Sequence, residues 1–517
     1  MRNFLTLIFV LAGVYLAGIP QTPAIIRSTG IPPLVDIPIG DVNPGTSGPG
    51  LTDRDADHGV VAMNSQRDIA VAFHTSRNEL GTIGTRKQVE VAYYDYKSNE
   101  TWEHVGTFIV GTLDWDPLTL NQNFVKCERP DIVAVDDKFF VVWTRRYHSS
   151  THQNEPAVLE CAWLEETGNP SDPVKVWSNS IGGFGLGFEL DAHGGNSEFF
   201  VRECAGVVDA VALTDPVEQY KVAVVYPHQF DFSAPPADET RKFEMRVVTC
   251  TFDDSLKAIS KVGPQTLHSS FAFNGAGAPP GILAPGMILP DLAPSSEYLA
   301  FWAVHERQQL VDLGSGEKPD GRIKLEYWQN VGGTWTLEAA KTFKSSPGET
   351  YWRRRPMVSS FPDGSQKHLA TLAFFELNSN PGPGENQTAN VRFEEWEYAN
   401  GSLVAHPVTV VDWPNTSTHW DDRPVPLQGR TSPYVRRCFA TRDDITTSAD
   451  TIKLMSFDDI TTPAQLNSMD YTDYIGLKRP SAAYHFEPNH PYPDYIAYTW
   501  EKTETLTSPK RVWIGVK

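Results

Sequence analysis

The sequence predicts an all-β fold: a β-propeller, seven blades of four-stranded antiparallel sheet, with six as the alternative count. Three observations predict it. A single pattern recurs seven times along the 517 residues: a short strand with a charged or proline-containing start, a turn rich in Asp, Asn, Gly or Pro, and a strongly apolar strand ending in an aromatic and a polar group. Each clear copy is followed by another strand of alternating polar and apolar residues. No segment after the N-terminal apolar run keeps a helical period.

The copies follow one another in order. "DHGVVAMNSQRDIAVAFHTSR" begins at Asp57 and "CERPDIVAVDDKFFVVWTRRYH" at Cys127. "ECAGVVDAVALTDPVEQYKVAVVYPHQ" begins at Glu203, "LPDLAPSSEYLAFWAVHER" at Leu289 and "RRPMVSSFPDGSQKHLATLAFFE" at Arg354. A weaker copy runs from Ser432, and the last, "KRPSAAYHFEPNHPYPDYIAYTWEK", from Lys478. The strands that come next are "QVEVAYYDY", "AVLECAWLE", "FEMRVVTCTF", "IKLEYWQ" and "VRFEEWEY", rich in the β-branched and aromatic residues that suit a pleated, half-buried surface. Radial repetition of such units removes most exposed sheet edges, which favours a propeller over its rival, two stacked sandwiches.

Met1-Arg2-Asn3, the apolar run from Phe4 and the small residues after it read as a secretory signal peptide over residues 1–24, cleaved after Ala17 or Ala24. Residues 25–56 form an N-terminal segment expected to close the ring through "GIPPLVDIPIG", because the final "RVWIGVK" leaves its blade one strand short. The propeller itself is assigned to residues 57–517. The mature chain is therefore expected outside the cytoplasm, soluble, without membrane insertion and monomeric. Five cysteines, without a CxxC pair, are too few for a disulfide scaffold and give no zinc motif. A net charge of −20 disfavours nucleic acid as a partner.

Apolar strand bodies with charged tips have a simple consequence in a propeller. The start of each first strand and the end of each second strand lie at the same face, so their charges converge on the mouth of the channel. The first-strand starts supply His58, Arg129, Arg202, Glu203, Asp291, Arg354, Arg355 and Arg479; the second-strand ends supply His74, Arg145, Arg146, His148, His228, His305, Glu306 and Glu376. His193, in "ELDAHGGNSEFF", lies in a long connection placed to cover that mouth. Strand tips are polar in any β-protein, so solubility and turn chemistry account for part of this set. The repeated Arg-Pro at Arg129, Arg355 and Arg479 has a structural reading too, tying one blade to the next.

An arginine cluster in a concave pocket suits a carboxylate, sulfate or phosphate, because the guanidinium fork binds such groups bidentately. With this Arg pattern at inner-strand starts, the repeat body from about Asp57 to Lys517 resembles the sialidase-type (BNR-like) superfamily and the propeller polysaccharide lyases. The chain has no intact Asp-box, the Ser-x-Asp-x-Gly-x-x-Trp turn of sialidases; "SFPDGSQKH" matches it in part. The histidine-rich rim resembles the lyases more closely. That resemblance implies an anionic glycan or polysaccharide as partner, with His58, His74, Arg129, Tyr147 and His148 as catalytic candidates. Arg145, His193, Glu203, His228, His305, Glu306, Arg355, Glu376 and Arg479 are the substrate-binding candidates. A hydrolase would instead need two carboxylates about 5 Å or about 6.5–9.5 Å apart, and no sequence spacing pairs them. No metal ligands are assigned, since the spacing of His58, His74, His228 and His305 does not define a site, and the sequence names no cofactor. The reading from another class is a non-catalytic propeller binding glycan or protein at a cell surface.

Overall fold

The computed structural model describes residues 25–27, 35–36, 55–78, 85–98, 100–111, 124–148, 158–169, 172–178, 187–192, 197–198, 208–231, 240–273, 287–312, 317–343, 351–360, 369–378, 389–406, 410–411, 418–419, 425–427, 436–444, 449–457, 475–485, 495–503 and 511–516. Every regular element among them is a strand.

The strands form successive antiparallel meanders. Unit 1 is Asp55–Met63, Ile69–Asn78, Thr85–Lys97 and Thr101–Gly111. Unit 2 is Phe124–Val135, Lys138–His148, Val158–Glu166 and Val174–Trp177. Unit 3 is Asp209–Ala212, Lys221–Asp231, Thr240–Asp253 and Ala258–Phe273. Unit 4 is Met287–Pro294, Ala300–Asp312, Glu317–Val331 and Thr334–Phe343. Unit 5 is Tyr351–Ser360, Leu369–Asn378, Ala389–Ala399 and Ser402–Ala405. Unit 6 is Val425–Leu427, Arg436–Asp444 and Ala449–Phe457. Unit 7 is Ile475–His485, Tyr495–Thr503 and Arg511–Val516, and the short strand Val35–Asp36 pairs with the last of these, Val35 opposite Ile514.

The first strands touch one another in chain order, and that of unit 7 returns to that of unit 1, which closes the ring of a β-propeller. Among the described residues the blades, counted as hydrogen-bonded sheets, number six, the alternative count, and not the favoured seven, although the meanders are seven. The counts differ because units 1 and 2 share one ten-stranded sheet, joined by a parallel pairing of Lys87 with Lys126.

The core lies between adjacent units. The five apolar clusters each draw on two neighbours: units 1 and 2, 2 and 3, 3 and 4, 4 and 5, and 7 with 1. Second strands are sandwiched on both faces, so they read as continuous apolar runs; Phe139 to Trp143 are all fully buried. Trp163 of unit 2 stacks on Phe252 of unit 3 with ring centroids 5.6 Å apart, a contact worth about 0.5–1.5 kcal/mol beyond area burial.

A polar device fixes several first strands to the next. Asp131 accepts a hydrogen bond from the backbone N–H of Ala210 at 2.8 Å, and Asp291 accepts from Val358 at 2.6 Å. Asp209 accepts likewise from Leu292. Across the closure of the ring, Ser481 Oγ accepts from Val61 N at 3.2 Å. Asp291, read from the sequence as a charge at the mouth, is thus a buried staple between units 4 and 5.

Candidate functional site

The Arg-Pro repeat has a geometric cause. In five first strands the pairing register skips, and the residues skipped include His58-Gly59, Leu289-Pro290 and the three Arg-Pro pairs that begin at Arg129, Arg355 and Arg479; the first strand of unit 7 skips a second time, at Gly476-Leu477. These are β-bulges, which bend a strand and re-aim a side chain. Proline fits there because a bulged residue need not donate to the ladder. His58 and Arg129 occupy the bulge in the left-handed backbone region, φ 57° and 55°, a conformation non-glycine residues seldom adopt.

The bulges of units 1 and 2 bring three sequence-predicted residues together. The rings of His58 and His74 have centroids 4.7 Å apart. The backbone N–H of Arg129 donates to Nδ1 of His74 at 3.3 Å. A donor at Nδ1 leaves the proton of the neutral His74 ring on Nε2. His74 is buried, whereas His58 and Arg129 are half-buried.

The third strands of the same two units carry two buried carboxylates. Glu90 accepts from Thr75 Oγ1 and Gln88 Nε2, both at 2.6 Å. Glu160 accepts from Trp143 Nε1 at 3.1 Å and from Arg145 Nε at 2.9 Å. Burial raises the Glu160 carboxyl above the ordinary carboxylate range, and the opposing pull of Arg145 does not cancel it. Arg145, a substrate-binding candidate, is therefore held in an ion pair within its own blade.

The other candidates divide by place. His228 and His305 are fully buried in the second strands of units 3 and 4, and His305 faces Glu326. Tyr147, His148, Glu306, Arg355, Glu376 and Arg479 lie in described strands, with side chains outside the described residues. His193 and Glu203 lie outside the described residues.

Sequence reasoning missed a repeated third-strand glutamate: Glu90, Glu160, Glu244, Glu326 and Glu395 are all buried. A glutamate stands in each of the five third-strand segments quoted above, and aligning them on it would have exposed the pattern. Glu90, Glu160 and Glu244 are held by local donors; Glu244 takes Arg246 Nε at 2.9 Å and Thr266 Oγ1 at 3.2 Å.

No family model matches the chain, and no curated protein matches it. Among solved structures it is similar to a Trypanosoma rangeli sialidase in complex with sialic acid, at 10% identity and TM-score 0.40, over 93% of this chain and 56% of that one. It is similar to a protein of unknown function from Dyadobacter fermentans DSM 18053, at 12% identity and TM-score 0.38, over 90% and 95% of the two chains. It is also similar to the GH93 alpha-L-arabinofuranosidase of Fusarium graminearum in complex with arabinobiose, at 11% identity and TM-score 0.36, over 75% and 88%. This chain thus spans little more than half the length of the trypanosomal sialidase. At such identities and TM-scores these likenesses carry no argument about activity, which rests on the residues themselves.

Proposed function

We propose that the protein is a secreted propeller that acts on an anionic glycan at the first-strand bulges of units 1 and 2. The observation that carries this reading is the convergence of His58, His74 and Arg129, from two consecutive units, with two of the three held at positive φ. Strained backbone at adjacent, equivalent positions is a feature of sites where side-chain direction matters more than local stability.

The chemistry that fits this set is β-elimination on a uronate. Arg129 pairs with the sugar carboxylate and disperses the charge that develops there as the neighbouring proton leaves. His58 takes that proton from the carbon beside the carboxylate. The electron pair left behind forms a carbon–carbon double bond and expels the glycosidic oxygen, which leaves with a proton from a donor at the same mouth. Tyr147 and His148, at the end of the neighbouring second strand, are the candidates for that donor. His74 does not face solvent; it positions the Arg129 backbone and backs the His58 ring. Arg355 and Arg479, at the same bulge position in units 5 and 7, would extend the anionic subsite around the mouth.

The test is incubation of the mature protein with a panel of acidic polysaccharides and sialosides, following ultraviolet absorbance of unsaturated sugars and new reducing ends together. Absorbance supports elimination. Reducing ends without absorbance replace elimination by hydrolysis. Retained binding without either signal moves the protein to the non-catalytic, glycan-binding class, and absence of both binding and turnover overturns the reading.

A further inference from the structure

We propose that His268, His305 and Glu326 form a transition-metal site, suited to zinc, at the seam between units 3 and 4. His268 comes from the fourth strand of unit 3, His305 and Glu326 from the second and third strands of unit 4. One ligand atom from each lies within 4.8 Å of the others. His268 Nε2 stands 2.8 Å and His305 Nε2 stands 3.6 Å from Glu326 Oε1. Ligands on a tetrahedral zinc ion, each about 2.1 Å from the metal, lie about 3.4 Å apart, between these two separations. Two imidazoles and one carboxylate are a donor set that zinc accepts with its fourth position open, and that calcium and magnesium, which take oxygen ligands, do not favour.

A second observation is independent of that spacing. His305 is 1% exposed, and neither of its ring nitrogens has a hydrogen-bond partner. Buried polar atoms are nearly always satisfied, so an unpartnered imidazole aimed at a carboxylate calls for a ligand. Glu326 is aligned by Trp328 Nε1, which donates to Oε2 at 2.9 Å, and His268 Nε2 lies 2.8 Å from both carboxylate oxygens. Lys324 Nζ stands 2.5 Å from Oε1, so a cation already occupies this position. Its side chain is 24% exposed and swings into solvent when the ion enters, past the half-buried His268.

The test uses the full chain stripped with a chelator, titrated with zinc by calorimetry and with cobalt(II) by visible absorbance. One ion per chain, with the intense visible bands of four-coordinate cobalt, is expected. His268→Ala, at the accessible edge, should weaken zinc binding by about tenfold or more. Lys324→Ala, which removes the competing cation, should tighten it. Absence of zinc and cobalt uptake by the unmodified chain overturns the proposal. So does uptake that His268→Ala leaves unchanged, since the ion would then sit elsewhere. If His268→Ala fails to fold by circular dichroism, Lys324→Ala decides alone, and unaltered affinity in it counts against the site.

Discussion

The backbone N–H of Arg129 meets Nδ1 of His74 at 3.3 Å, joining the first strand of unit 2 to the second strand of unit 1. Replacing His74 with leucine removes that acceptor from a buried position and should destabilise the protein by about 1–3 kcal/mol. Asparagine, which keeps an acceptor on a short side chain, should cost less than leucine. Urea denaturation of the two variants checks the order, and equal losses would mean that packing of the ring, not the bond, is what matters.

The staples between first strands offer a test of ring cohesion. Asp131→Ala removes the carboxylate that accepts from Ala210 N and should cost about 1.5–3 kcal/mol, the range for a hydrogen bond to a charged group. Asp131→Asn retains an oxygen acceptor and should recover part of that loss. Thermal unfolding of both variants measures it.

Glu326 carries a pH dependence with a definite sign. Burial works to raise its carboxyl, but the imidazoles of His268 and His305 outweigh burial and hold it well below the ordinary value of 4.5. Lys324 is the other charged group against it. A carboxyl lowered in the folded state stabilises the fold above its unfolded value, and that contribution is lost as pH falls through the folded one. In chelator-treated protein, the stability gap between the natural chain and Glu326→Gln should therefore be largest at neutral pH. It should narrow as pH drops below 4.5; a gap constant with pH would remove the ionic role assigned to this residue.

The thiols should be silent in the folded protein. Cys127, Cys161 and Cys250 are buried and unbridged, and burial raises the Cys161 thiol well above its ordinary value. The Cys161 and Cys250 sulfurs are 3.9 Å apart, across the seam of units 2 and 3. Of the five cysteines in the chain, at most the other two should react with a thiol reagent before denaturation, and all five after it.

Much of the fold is legible in the sequence because each repeat carries its own local signal: a charged start, a turn, then an apolar run such as Phe139 to Trp143. The Arg-Pro pairs are visible too, but their cause is not, since a bulge exists only relative to the partner strand's register. Asp291 looks like a tip charge until the neighbouring blade is in place, because its acceptor role depends on a backbone N–H 67 residues away. Residue His268 carries no signal at all. It lies within a sixteen-residue fourth strand that no other unit copies, and its meaning comes from Glu326 across the seam.

The most direct measurement is turnover of the acidic-glycan panel by the natural chain and by Arg129→Gly, compared at equal folded concentration. Glycine adopts φ 55° without strain, so this variant should be at least as stable in its backbone as the natural chain while lacking the guanidinium. Elimination by the natural chain, falling by about a hundredfold or more in Arg129→Gly, is the expected result, in line with the loss of one preorganised charge-stabilising group. Turnover of the same substrate that Arg129→Gly leaves unchanged would contradict a site at the bulges of units 1 and 2.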